Sequence, residues 1–94
     1  MNDDKWTELI VSLPIGTTVL GIVDQLYPFG FFVQLDAHPN IRAIVEINNY
    51  RPSGVAVTAS EFPRPGSPVS AIVVGHADKD HQIRLRIAPD TPNT

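Results

Sequence analysis

The chain has 94 residues, a net charge of −3, nine prolines and no cysteine. That length suits one compact domain, and the missing cysteines exclude disulfides, thiolate zinc sites and cysteine nucleophiles together. With 43% apolar residues, no run near the roughly 20 of a membrane span, and the acidic start Met1-Asn2-Asp3-Asp4 where a secretory signal is basic, a cytoplasmic protein with no membrane partner is expected.

The first element is a short helix over Asp3 to Leu13. Trp6, Leu9, Ile10 and Leu13 fall on one face at helical spacing. Asp3 or Asp4 is suited to accept hydrogen bonds from the free N–H groups at its start. Pro14 stops it, because proline lacks the N–H and restricts the residue before it. A helix this short is marginal alone, so its apolar face must dock.

From Gly16 the period changes to two. Thr18 to Asp24 reads as a β-branched strand, Tyr27-Pro28-Phe29-Gly30 as a turn, and Phe31 to Leu35 as a second strand. Asp36 to Asn40 is another turn, and Arg42 to Ile47 a third strand. Residues 48–66 hold three prolines and two glycines and form a long connection with room for one helical turn. Val69 to Val74 is a fourth strand and Asp78 to Gln82 a polar hairpin turn. Ile83 to Ile87 is a fifth strand, with Ile83, Leu85 and Ile87 facing in and Arg84 and Arg86 facing out. Gly75 is suited to a β-bulge. The polar, proline-broken segment 89–94 reads as a disordered tail.

Five short strands with one long connection suggest a small closed barrel, since closure removes exposed sheet edges. The chain divides into a helix over residues 1–14 that packs on the barrel, a barrel domain over residues 15–88, and the tail. The fold class is all-β, a five-stranded antiparallel OB-fold barrel with a short N-terminal α-helix. An SH3-like barrel meets the same periodicity.

The residues also carry a family likeness. Gly16 to Val23, followed by Pro28-Phe29-Gly30-Phe31-Phe32-Val33-Gln34-Leu35, resembles the opening of an S1 RNA-binding domain. Ala43 to Asn48 is similar to that family's third strand, Pro65 to Val69 to the start of its fourth, and Asp78 to Ile87 to its closing hairpin and strand. The likeness spans roughly residues 15–88. It implies an OB barrel whose outer face binds single-stranded RNA by stacking bases on aromatic rings. On matched positions Phe29 and Phe32 would stack, with Arg42, Arg84 and Gln82 contacting backbone or base edges. Asp78 matches the family's acidic residue at the last hairpin. Binding would be weak and of low sequence specificity.

Two positions depart from the pattern. Glu46 stands where many members have histidine, and Gln82 where a cation is common. With period two, Leu20 and Ile22 face outward beside Ile44, making an apolar patch. The economical reading is that Trp6, Leu9, Ile10 and Leu13 cover part of it. Arg42 and Glu46 share one side of the third strand and are expected to pair. These departures motivate the alternative, a protein-interaction or immunity-type module on the same scaffold, lacking RNA affinity and meeting a protein partner through the Leu20/Ile22 surface.

No catalytic or cofactor pattern is present. His38, His76 and His81 lack metal-ligand spacing. Asp78 and Asp80 suit a turn better than an acid–base pair, and no serine lies in a nucleophile motif. The expectation is a protein without enzymatic activity, metal or cofactor.

Overall fold

In the computed structural model, which describes residues 3–50 and 62–88, helix α1 spans Asp3–Ser12 and five strands follow it. These are β1 (Thr18–Tyr27), β2 (Gly30–Leu35), β3 (Arg42–Glu46), β4 (Pro68–Ala77) and β5 (Gln82–Ile87). A single 3-10 turn, Ile47–Asn49, follows β3. Residues 51–61 of the proline-rich connection and the 89–94 tail lie outside the described residues.

The strands close into a barrel in the order β1-β2-β3-β5-β4, with β4 returning to β1. Four of the ladders are antiparallel, whereas β3 pairs with β5 in parallel. The barrel is thus mixed rather than wholly antiparallel. The reason is topological: residues 47–81 separate β3 from β5, enough chain to carry β5 back in the same direction.

Strand β1 reaches two partners because it is long, and β2 passes close to it at Gly21. A Cβ at Gly21 would lie 2.6 Å from the Gln34 carbonyl oxygen and from Val33 Cγ1. Only glycine admits β2 that close. Two bulges add twist. Between Val23 and Leu26, β1 has three steps against two on β2. Between Val73 and Gly75, β4 has two steps against one on β5. The second is the bulge expected near Gly75.

Alternation fills the barrel. Phe31, Leu35, Ile83, Leu85, Val23, Val45 and Val73 are its largest fully buried side chains, and among the described residues no buried one is polar or charged. Burying each of these stabilises the fold by about 1.5–3 kcal/mol. Phe31, Tyr50 and Phe62 pack edge to face, with centroids 5.2–5.8 Å apart, at the end where β2 begins.

Helix α1 belongs to the opposite end, where β4 turns into β5. Trp6, Leu9 and Leu13 join the core there. Trp6 Nε1 donates to Asp78 Oδ1 at 2.9 Å, and its ring stacks on His81 at 5.0 Å. His76 Nε2 lies 2.6 Å from the Leu13 carbonyl oxygen. A carbonyl only accepts, so that nitrogen carries the proton. His81 Nε2 meets Asp3 Oδ1 at 3.2 Å. Asp3 and Asp4 sit within the first helical turn, where the helix dipole favours their charge.

This placement corrects the expectation that α1 covers Leu20 and Ile22. Leu20 is 60% exposed and Ile22 43%. The helix is drawn to the hairpin end by Trp6, Leu13 and Asp3 instead. Ile44 also leaves that patch, since it is covered to 7% exposure between its register partners Phe32 and Arg84.

Candidate functional site

The outer face of β2 begins with a consequence of period two. Phe31 and Val33 point into the barrel, so Phe32 points out and is only half-buried. The preceding turn presents Phe29, 52% exposed. Tyr27, the last residue of β1, lies between them. Its ring stacks on Phe29 at 5.1 Å and meets Phe32 edge-on at 5.6 Å. Gly30 makes this grouping possible. It is the register partner of both Tyr27 and Glu46, and a Cβ there would run into the Val45 carbonyl oxygen. Glycine at this position therefore lets the β3 backbone approach β2 closely beside the rings.

Cations flank the platform. The Arg42 guanidinium carbon lies 5.5 Å from the Phe32 ring centroid, a cation–π geometry. Register places Phe32, Ile44 and Arg84 side by side across β2, β3 and β5. Arg84 extends over the bare backbone of Gly75, 3.8 Å from where a Cβ would be. Its Nε is 3.9 Å from Glu46 Oε1. Glu46 therefore pairs with Arg84 and not, as expected, with Arg42. Four residues along a strand separate Arg42 from Glu46 by about 13 Å, whereas Arg84 is only a diagonal neighbour away. Both partners are partly exposed, so the pair is worth at most about 1 kcal/mol.

Beside Phe32 a cleft of about 500 Å³ opens between β1, β2, β3 and the β2–β3 turn. Its walls include Asp24, Gln25, Tyr27, Gln34, Asn40 and Arg42. No residue of α1 lines it, so the helix leaves this face open.

The site residues read from the sequence divide into groups. Phe29, Phe32, Arg42 and Arg84 lie on one continuous face, and Gln82 lies opposite Arg42 in the parallel ladder. Asp78 is set apart: it follows the end of β4, and its carboxylate accepts the Trp6 indole N–H. Tyr27 and Gln25 were not legible as site residues. The sequence places Tyr27 in a turn, and the β1 bulge shifts the phase of alternation just before it. An aromatic two residues ahead of Phe29 was the available signal. Among the described residues, no group of three or more His, Asp or Glu side chains could hold a metal ion. No helix among them is long and apolar enough to cross a membrane.

No family model and no curated protein matches the chain. Solved structures do. The chain is similar to one in the a/eIF2alpha–aDim2p–rRNA complex from Pyrococcus horikoshii, at 23% identity and a TM-score of 0.68, covering 79% of this chain and 44% of that one. GSP13 from Bacillus subtilis matches at 26% identity and a TM-score of 0.66, over 82% of this chain and 61% of that one. RNase R from Mycoplasma genitalium, in complex with ribose-methylated single-stranded RNA, matches at 17% identity and a TM-score of 0.64, over 93% and 15%. The chain thus spans less than half the length of the Pyrococcus protein and a small part of RNase R. The fold is an S1-like OB-fold: a closed five-stranded barrel preceded by one short helix.

Proposed function

We propose that this protein binds single-stranded RNA across the outer face of β2, β3 and β5. The observation that carries this reading is the aromatic platform of Tyr27, Phe29 and Phe32 with Arg42 seated over Phe32, beside an open cleft. Every base has a π-face, so exposed rings capture unpaired bases. Arg42 and Arg84 supply charge for phosphates. A solved structure of similar fold, RNase R, is a complex with single-stranded RNA. With two arginines at the face and one of them shared with Glu46, binding is weak, and stacking makes it tolerant of sequence over most of the face. Asp78, engaged by the Trp6 indole away from this face, makes no contact with the strand in this reading.

Fluorescence anisotropy with a labelled single-stranded RNA at about 20 mM salt, where attraction between charges is least screened, tests this. Binding that is lost in Phe32→Ala supports the reading, and no binding by the unaltered protein refutes it. A second reading, contact with a protein partner, rests on the exposure of Leu20 and Ile22. It predicts that Leu20→Asp abolishes association with that partner and leaves RNA affinity unchanged.

A further inference from the structure

We propose that the cleft beside Phe32 selects guanine at one position of the bound strand. This inference rests on the RNA-binding reading and adds to it a base preference that stacking alone does not provide.

The β1 bulge creates the selective wall. In a regular strand Asp24 and Gln25 would point to opposite faces. The extra residue between Val23 and Leu26 leaves both exposed and both lining the cleft. Bulges commonly redirect side chains in this way. Tyr27 then fixes what Gln25 presents. The Tyr27 hydroxyl donates to Gln25 Oε1 at 2.6 Å. With its oxygen engaged, the amide has its Nε2 hydrogens left to donate to a ligand. The Asp24 carboxylate offers oxygen acceptors there. Arg42, on β3, presents only donors.

The floor is Phe32 on β2, between these two walls. Two strand spacings separate β1 from β3, roughly 9.5–10 Å, which spans a purine hydrogen-bonded on both edges. A base taking the Phe32 face displaces the Arg42 guanidinium from the ring to one edge of the base and turns the adjoining edge to Asp24 and Gln25. Guanine matches all three groups. Its N7 and O6 accept from an arginine in the commonest specific arginine–base contact. On the other edge O6 accepts from an amide, and the N1 and N2 hydrogens donate to a carboxylate. Adenine offers an amino group where Gln25 donates. Uracil and cytosine are too narrow to reach both walls. The cleft of about 500 Å³ lies in the lower part of the range for small-molecule sites, consistent with a single nucleotide.

The experiment uses the full chain and four labelled RNA pentamers, U5 and U5 with a central G, A or C. One good bidentate contact discriminates by about 1 kcal/mol or more, so the G-containing pentamer should bind about fivefold or more tighter than each of the others. Asp24→Asn and Gln25→Glu should equalise the four affinities while U5 binding persists. Both side chains are exposed, and circular dichroism checks that the fold is intact. Equal affinities in the unaltered protein overturn the guanine assignment and leave RNA binding standing. Failure to bind any pentamer overturns both. GMP as competitor separates the two sources of guanine: displacement only at far higher concentration than the G pentamer supports a strand-borne base, and equal potency overturns it in favour of a free nucleotide.

Discussion

Phe32 shows how one residue's direction follows from the burial of its neighbours. Its neighbours Phe31 and Val33 are almost wholly buried, so the ring is forced outward and meets Tyr27 and Arg42. Phe32→Ala should weaken RNA binding by the worth of one stacked base, about 1–3 kcal/mol, while far-UV circular dichroism stays native. Glu46→Gln should act in the opposite direction. It releases Arg84 from a carboxylate 3.9 Å away, and the gain at low salt is bounded by the pair's own strength, up to about fivefold in affinity. Anisotropy titrations of the two variants read both effects. Phe29 and Phe32 were legible from alternation beside a glycine turn. Tyr27 and Gln25 were not, because a bulge changes which residues share a face and leaves no mark in a period-two pattern. The Glu46–Arg84 pair was equally hidden, since it depends on the register between two strands far apart in sequence.

At the scale of elements, the helix was recognisable and its docking site was not. Trp6, Leu9 and Leu13 do form its buried face. Spacing identifies such a face but carries no information about what covers it. The deciding contacts are polar and long-range: Trp6 to Asp78, and Leu13 to His76. Trp6→Phe keeps an aromatic ring but removes the indole N–H and part of the buried ring system, and the lost hydrogen bond alone costs about 1 kcal/mol. For a domain of this size that lowers Tm by roughly 4–8 °C, measurable by thermal denaturation. RNA affinity should be unchanged, because α1 contributes nothing to the cleft. A parallel loss of affinity would mean that the hairpin's position, and with it Gln82, depends on the helix. The strands were legible because their inward residues alternate cleanly. The parallel β3–β5 ladder was not, because it is a property of chain path.

For the whole molecule, the net charge of −3 is a poor guide to its partners. The acids Asp3, Asp4 and Glu8 and the base Lys5 belong to the N-terminal segment, and residues 16–88 are balanced between six acids and six bases. What matters for RNA is the local arrangement, two arginines beside three aromatic rings with one carboxylate against Arg84. Each phosphate neutralised on a single strand contributes a slope of about −0.7 in log affinity against log salt. Two arginines therefore predict a slope of roughly −1.4. Arg42→Gln and Arg84→Gln should each reduce its magnitude by about 0.7, and the double variant should bring it near zero while base stacking keeps a residual, salt-insensitive affinity. Titrations between about 20 and 200 mM salt, well within the range where screening lengthens or shortens appreciably, measure this directly. A slope that the double variant leaves intact would move the RNA path off this face. Nearby cations such as Arg64 or Arg86 would then have to carry the strand, and the aromatic platform would lose its role.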